Sequence, residues 1–131
     1  MPFLIDTNIF IYARDRRFGV REKFIEHAGE ILMSAISLAE LHRGLHPGLP
    51  DAALRRDRHR LLAGQLSVLP FDEQAAEAYG RIVARIGRIK MRDFDHLIAA
   101  HALSINVVLV TNNQADFAGV PGLALENWVA P

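Results

Sequence analysis

Four carboxylates in this chain stand where carboxylates are costly, and together they suit a divalent-cation site. Asp6 closes the apolar run Pro2-Phe3-Leu4-Ile5. Glu40 lies within Ser37-Leu38-Ala39-Glu40-Leu41. Asp95 precedes Leu97-Ile98-Ala99-Ala100, and Asp116 follows the strand-like Val107-Val108-Leu109-Val110. Each abuts a segment expected to be buried, and a buried carboxylate is unfavourable unless it is paired or bound to a cation. Oxygen-only ligands suit hard ions, Mg2+ or Mn2+, one or two of them, rather than zinc. Such ions activate water and stabilise charge on a phosphate under in-line attack. With no ion bound, four clustered negative charges repel one another, and some should have raised pKa values.

Each acid also has a purely architectural reading. Asp6 can cap a helix. Glu40 stands three residues after Ser37, the spacing of a capping box. Asp95 falls in a first helical turn, where the helix dipole favours a carboxylate, with Asp93 as that helix's N-cap. Asp116 can cap a surface turn. Any one of these readings is acceptable, but all four holding at once is harder to accept than one shared site.

Alternating strands and helices must position the four acids. Residues 3–5 read as a short buried strand. A helix over 8–13 follows, with Thr7 or Asn8 available as its cap. Residues 21–29 read as a helix ended by Gly29, and 31–33 as a second strand. A helix begins over 37–43 and stops at Gly44. Residues 51–65 form a charged helix with Leu54, Leu61 and Leu62 on one side. A third strand covers 67–69. Asp72 caps a helix over 73–86 whose apolar positions are Ala75, Ala78, Tyr79, Ile82 and Ile86. Residues 94–103 are helical. The continuous apolar run 107–110 is a parallel-type strand, and 123–125 is a last edge strand.

This order predicts a three-layer α/β fold with a mainly parallel central sheet flanked by helices. Ligands of such sheets bind beyond the carboxyl ends of the strands. Asp6, Glu40 and Asp116 all follow strands closely, and the helix bearing Asp95 can reach the same edge.

The bulk numbers bound the answer further. The 131 residues are half apolar, enough for one domain with its own core. The absence of cysteine excludes disulfides and thiolate metal sites and agrees with a reducing, cytoplasmic setting. The N-terminus has no signal-peptide pattern, and no apolar run reaches membrane-span length. Net charge is zero but segregated: residues 1–92 carry 15 basic against 11 acidic side chains, and residues 93–131 carry four acidic and no basic ones. That distribution permits a basic surface around an acidic pocket.

The basic stretches are 55–60 and the series Arg81, Arg85, Arg88, Lys90 and Arg92. Arg85, Arg88, Lys90 and Arg92 are candidate RNA contacts, set against the alternative of a solvated helix face. Phe10, Tyr12 and Phe18 offer stacking surfaces, with core packing the better reading for Phe10. His42 and His46 have a zinc-like spacing but no third ligand nearby and are read as surface residues. His96 and His101 are read as packing or solvent-facing groups. There is no nucleophile triad and no Gly-rich phosphate loop.

An ordered set of segments carries a family resemblance. They are Phe3-Leu4-Ile5-Asp6-Thr7-Asn8, Ser37-Leu38-Ala39-Glu40-Leu41, Asp95-His96-Leu97-Ile98-Ala99-Ala100-His101-Ala102, Leu109-Val110-Thr111-Asn112-Asn113, Asp116-Phe117, Val120-Pro121-Gly122-Leu123 and Glu126-Asn127-Trp128. With these spacings the chain resembles the PIN-domain ribonucleases, specifically the VapC-type toxins of toxin–antitoxin pairs, over nearly its whole length.

The resemblance implies a single PIN domain over residues 1–131 with Asp6, Glu40, Asp95 and Asp116 as its acidic quartet. Asp6 and Asp95 would hold the metal directly, with Glu40 and Asp116 acting through water or a second ion. Thr7, Asn8 and Asn112, with Ser37, would orient the acids or the phosphate. It also implies an RNA substrate (tRNA or ribosomal RNA), a VapB-type antitoxin contacting helices 51–65 and 8–13, and homodimers within a larger toxin–antitoxin assembly. The segment Arg88-Ile89-Lys90-Met91-Arg92-Asp93-Phe94 lacks the Gly- or Pro-rich turn common in that family, so Asp93 competes with Asp95 for the metal. Spacing to Ile98-Ala99-Ala100 favours Asp95.

The leading expectation is therefore a Mg2+- or Mn2+-dependent endoribonuclease in which a metal-activated water attacks an RNA phosphodiester. Two alternatives stand beside it. One is a PIN fold that has lost catalysis and binds partners. The other is a receiver-like phosphoacceptor module, which needs a lysine after a late strand, whereas no lysine follows Lys90.

Overall fold

The computed structural model describes residues 2–131. Five strands, β1 (Phe3–Ile5), β2 (Ile31–Ser34), β3 (Ser67–Leu69), β4 (Val108–Val110) and β5 (Leu125–Glu126), form one sheet in the order β3-β2-β1-β4-β5. Every pairing is parallel. The helices are α1 (Thr7–Arg14), α2 (Val20–Glu26), α3 (Ala35–Arg43), α4 (Ala52–Ala63), α5 (Glu73–Ile86), α6 (Asp93–Ile105) and the short α7 (Gln114–Phe117), with a 3-10 turn at Lys90–Arg92.

Short apolar strands with no polar alternation must be covered on both faces. Phe3, Ile5 and Val110 point into one core with Ile9, Phe10, Phe24 and Trp128. Leu4 and Leu109 point into the other with Ile82, Ile98, Ala99 and Phe117. The two-residue alternation of a strand thus makes the three layers. Trp128 anchors the C-terminal segment, stacked on His27 with ring centroids 5.0 Å apart. Small residues on α6, Ala99, Ala100 and Ala102, are fully buried and let that helix lie close against its neighbours.

Chain order reverses at β1, which sits between β2 and β4. The register pairs Ile5 with Met33 on one side and with Val110 on the other. The residues that follow, Ser34, Asp6 and Thr111, therefore leave the sheet side by side at its carboxyl edge. This is the switch point at which open parallel sheets bind ligands.

Several boundaries differ from expectation for identifiable reasons. The cap of α1 is Asp6, not Thr7 or Asn8, since Asp6 Oδ1 accepts from the Ile9 amide at 2.9 Å. Helix α3 starts at Ala35, capped by Ser34 Oγ accepting from the Ile36 amide at 3.1 Å. Ser37 is then interior, and a Ser37–Glu40 capping box does not form. The N-cap of α6 is Arg92; Asp93 is already helical. Helix α2 ends at Glu26, ahead of Gly29, and the last strand is Leu125–Glu126 rather than 123–125. On α4, Leu54 and Leu61 are 51% and 71% exposed, while Ala52 and His59 face inward. His59 packs on Phe10 at 5.3 Å between ring centroids, so the helix is rolled onto its small and aromatic stripe.

Candidate active site

Asp6 belongs to two elements at once, as the last residue before the sheet edge and the first of α1. Its amide donates to Val110 O at 3.0 Å, and one carboxylate oxygen caps the helix. The side chain is buried, and burial pushes the carboxyl up to about 6 against the opposing help of the Thr111 hydroxyl and the Ile9 amide; the charges of Asp95 and Glu40 add to the rise.

Glu40 projects from α3 toward the start of α1, where the Thr7 hydroxyl donates to its Oε1 at 2.6 Å. Arg43, one turn later, approaches its other oxygen at 3.7 Å. Asp95 stands in the first turn of α6. Burial raises its pKa, and the charges of Asp116 and Glu40 raise it further, opposed by Arg92. Asp116 is on α7, a helix not anticipated after β4, and meets Arg92 Nη2 at 3.3 Å. The four carboxylates are thus linked electrostatically through Asp95 at the switch point. Asp6 feels Glu40 and Asp95, and Asp95 feels Glu40 and Asp116.

Asp93 points elsewhere. It accepts from the Tyr79 hydroxyl at 2.8 Å and from Arg88 Nη2 at 2.6 Å, which hold its carboxyl below the usual range. This three-residue latch replaces a Gly- or Pro-rich turn as the means of fixing the segment before Asp95.

The remaining candidates separate clearly. Ser37 is fully buried one turn before Glu40, and its Oγ has no hydrogen-bond partner among the described residues. Asn8 is exposed. Asn112 is exposed too and accepts from Asn127 Nδ2 at 3.2 Å. Thr111 was the better signal in that segment. It is completely buried beside Asp6 and accepts from the Asn113 amide at 3.0 Å. Arg85 lines a groove of about 380 Å³ with Arg81, Ala78, Ile82, Leu103 and Pro121, remote from the quartet in its lining. Arg88 is committed to Asp93, Arg92 sits against Asp116, and Lys90 is exposed with no ion pair among the described residues. His96 and His101 are core residues, the latter with Nδ1 2.7 Å from Ser34 Oγ.

A parallel α/β sheet gathering four acids at its switch point has the layout of an enzyme that handles phosphate with a hard divalent ion. The chain belongs to the PIN-domain family, whose pattern residues 3–123 match, and to its VapC ribonuclease branch. It is 35% identical to the tRNA(fMet)-specific endonuclease VapC of Shigella flexneri, with 98% of each chain covered. It is 33% identical to Ribonuclease VapC2 of Haemophilus influenzae, covering 98% of this chain and 99% of that one. Among solved structures, VapBC2 from Rickettsia felis, bound to a DNA fragment from its promoter, matches with a TM-score of 0.85 at 30% identity, covering 98% and 99% of the two chains. VapBC from Salmonella typhimurium bound to DNA matches equally well, with a TM-score of 0.85 at 30% identity and 98% of each chain covered.

Proposed function

We propose that this chain is one PIN domain acting in the cytoplasm as the endoribonuclease toxin of a toxin–antitoxin pair, cleaving RNA phosphodiesters with a bound divalent ion, Mg2+ or Mn2+. The observation that carries the reading is the convergence of Asp6, Glu40, Asp95 and Asp116 at the sheet's switch point. The names of the Shigella and Haemophilus relatives point to RNA, and the former to tRNA, as the substrate class.

A hard divalent ion fits these residues. The donors are all oxygens, Asp6 is buried and Asp95 half-buried, and Ser37 Oγ is a buried hydroxyl in want of a partner. Among the described residues no three His, Asp or Glu side chains stand close enough together to hold an ion between them. An ion here would be held by one or two carboxylates, with water filling the rest of its shell. Asp6 and Asp95 would hold the ion directly, and Glu40 and Asp116 would act through water. When bound, the ion supplies Lewis acidity, acidifying water and offsetting phosphate charge.

The chain's own groups do the rest. Thr7 fixes the Glu40 carboxylate so that it can accept a proton from water, and Ile9 and Thr111 fix Asp6. Arg88, through Asp93, holds the loop carrying Lys90 and Arg92, which would meet the RNA backbone, with Arg85 a more distant contact.

A VapB-type antitoxin is the proposed partner, as the solved VapBC relatives suggest. Between α1, α2 and α4 lies a groove of about 360 Å³ walled by Ala13, Phe24, Leu61 and Leu62 and rimmed by Arg14, Arg16, Arg21 and Arg58. Exposed Leu61 and Ile25 beside the guanidinium groups of Arg16, Arg21 and Arg58 suit an amphipathic acidic segment. A homodimer within that assembly completes the proposal.

The test is cleavage of total RNA by the purified, partner-free protein with Mg2+ or Mn2+, against excess chelator and against Asp95→Ala. Discrete metal-dependent fragments missing from the variant are expected. A folded, ion-binding protein that leaves every RNA intact would sink the nuclease reading in favour of partner binding alone.

A further inference from the structure

The four acids are not equivalent in their surroundings. Glu40 and Asp116 each already face a cation: Arg43 Nη2 lies 3.7 Å from Glu40 Oε2 and Arg92 Nη2 lies 3.3 Å from Asp116 Oδ1. Asp6 and Asp95 form no ion pair among the described residues. Four negative charges less two guanidinium groups leave the charge of one divalent ion. A second ion beside Glu40 and Asp116 would have to approach these two positive charges.

The two arginines are also placed to meet a phosphate. The guanidinium of Arg43 lies over the ring of Phe94, 5.1 Å from its centroid. The contact holds the group by its charge and leaves its N–H donors uncommitted: Arg43 makes no hydrogen bond among the described residues. A guanidinium with free donors can receive phosphate oxygens bidentately. Arg92 leaves the 3-10 turn whose far side is pinned by the Tyr79–Asp93–Arg88 latch, so its backbone is held at the mouth of the site. Both acid–arginine pairs are solvent-exposed, with arginine side chains 69% and 42% accessible. Such pairs contribute little on their own, so an arriving phosphate can take over either guanidinium readily.

We propose that Arg43 and Arg92, one on the Glu40 side and one on the Asp116 side, contact the RNA phosphates directly. By offsetting those two acids they let the site work with one divalent ion rather than two. The inference rests on the ribonuclease reading and assigns it two substrate-contacting residues and an ion stoichiometry.

Two measurements on the full chain test it. Calorimetric titration with Mn2+ alone should give one ion per chain, and two ions would overturn the stoichiometry. Binding of bulk tRNA in chelator, followed against salt, should show a log–log slope shallower by about 1 for Arg43→Ala and for Arg92→Ala, because each removes one phosphate contact. Lys23→Ala, on α2 and already paired with Glu26 at 3.5 Å, should keep the wild-type slope. Arg43→Lys should restore the slope but not the full cleavage rate, since it keeps the charge and loses the fork. Each alanine variant should cut kcat/KM at least about 10-fold while tightening rather than weakening Mn2+ binding, because it removes a cation that faces an acid of the site. Unchanged slopes in a cleaving enzyme would sink this proposal alone. Shallower slopes in a protein that cleaves nothing would leave the arginine contacts standing and sink the nuclease reading instead.

Discussion

The Thr7 hydroxyl donates to Glu40 Oε1 across 2.6 Å, joining the first residue of α1 to a side chain 33 positions later on α3. A hydrogen bond to a carboxylate is short and strong compared with a neutral one, and this one fixes which oxygen of Glu40 is left for other work. Thr7→Val preserves shape and removes the donor. It should cost about 1–2 kcal/mol of stability and lower kcat about 10-fold through the loosened Glu40, whereas Thr7→Ser should remain near wild type. Equal activity in all three proteins would remove Glu40 positioning from the mechanism.

The buried Asp6 carboxyl makes stability depend on pH in a defined direction. Its pKa is about 6 in the folded chain and 3.8 ordinarily, so between those values the folded state holds the proton more tightly. The stability contributed is complete below the lower value and is lost as pH rises through the upper, a change of about 3 kcal/mol for one group. Asp6→Asn keeps the helix cap and removes the charge. In chelator it should be more stable than wild type at pH 7.5 by about 1–3 kcal/mol, with the gap closing near pH 4. Urea midpoints at the two pH values measure this.

Asp93 and Asp95 differ by two positions and should differ wholly in phenotype. Asp95→Ala should abolish cleavage with the fold intact or firmer, because it relieves repulsion from Glu40 and Asp116. Asp93→Ala and Tyr79→Phe break the latch instead. They should leave Mn2+ affinity unchanged, speed proteolysis within 87–93 and lower kcat about 3- to 10-fold by loosening one loop. Loss of ion binding in Asp93→Ala would reverse the assignment.

Ser37 is a fully buried hydroxyl without a hydrogen-bond partner among the described residues, a group that destabilises a fold by about 1–3 kcal/mol. Ser37→Ala should therefore raise metal-free stability by about 1 kcal/mol. If the hydroxyl serves the ion or its waters, the same change should weaken Mn2+ binding several-fold. Calorimetry and chemical denaturation on one preparation separate the two effects.

The membership of the PIN family was legible because its carriers are local. Asp6-Thr7-Asn8 after an apolar strand, Glu40 early in a helix and Asp95 ahead of Ile98-Ala99-Ala100 follow from hydrophobic pattern and spacing alone. So were β1 and β2, where apolar runs end at the polar Asp6 and Ser34, and β3, which stops at Pro70. Helix α7 was not, since four residues, Gln114–Phe117, carry no periodicity. On α4 the three leucines outweigh Ala52 and His59 in any hydrophobic count, yet of the three only Leu62 packs against the core, while Ala52 and His59 are buried and His59 meets Phe10.

Sequence by itself therefore determined the sheet and the family and singled out the acids as candidates, because strand burial and carboxylate cost are properties of short segments. Tertiary structure decided which groups meet. Thr7 reaches Glu40, Ser34 rather than Ser37 caps α3, Asp93 turns to Tyr79 and Arg88, and Arg43 settles on Phe94. Each of these depends on two elements distant in the chain being packed at one angle, and side-chain reach across such a contact is set by the packing rather than by residue type.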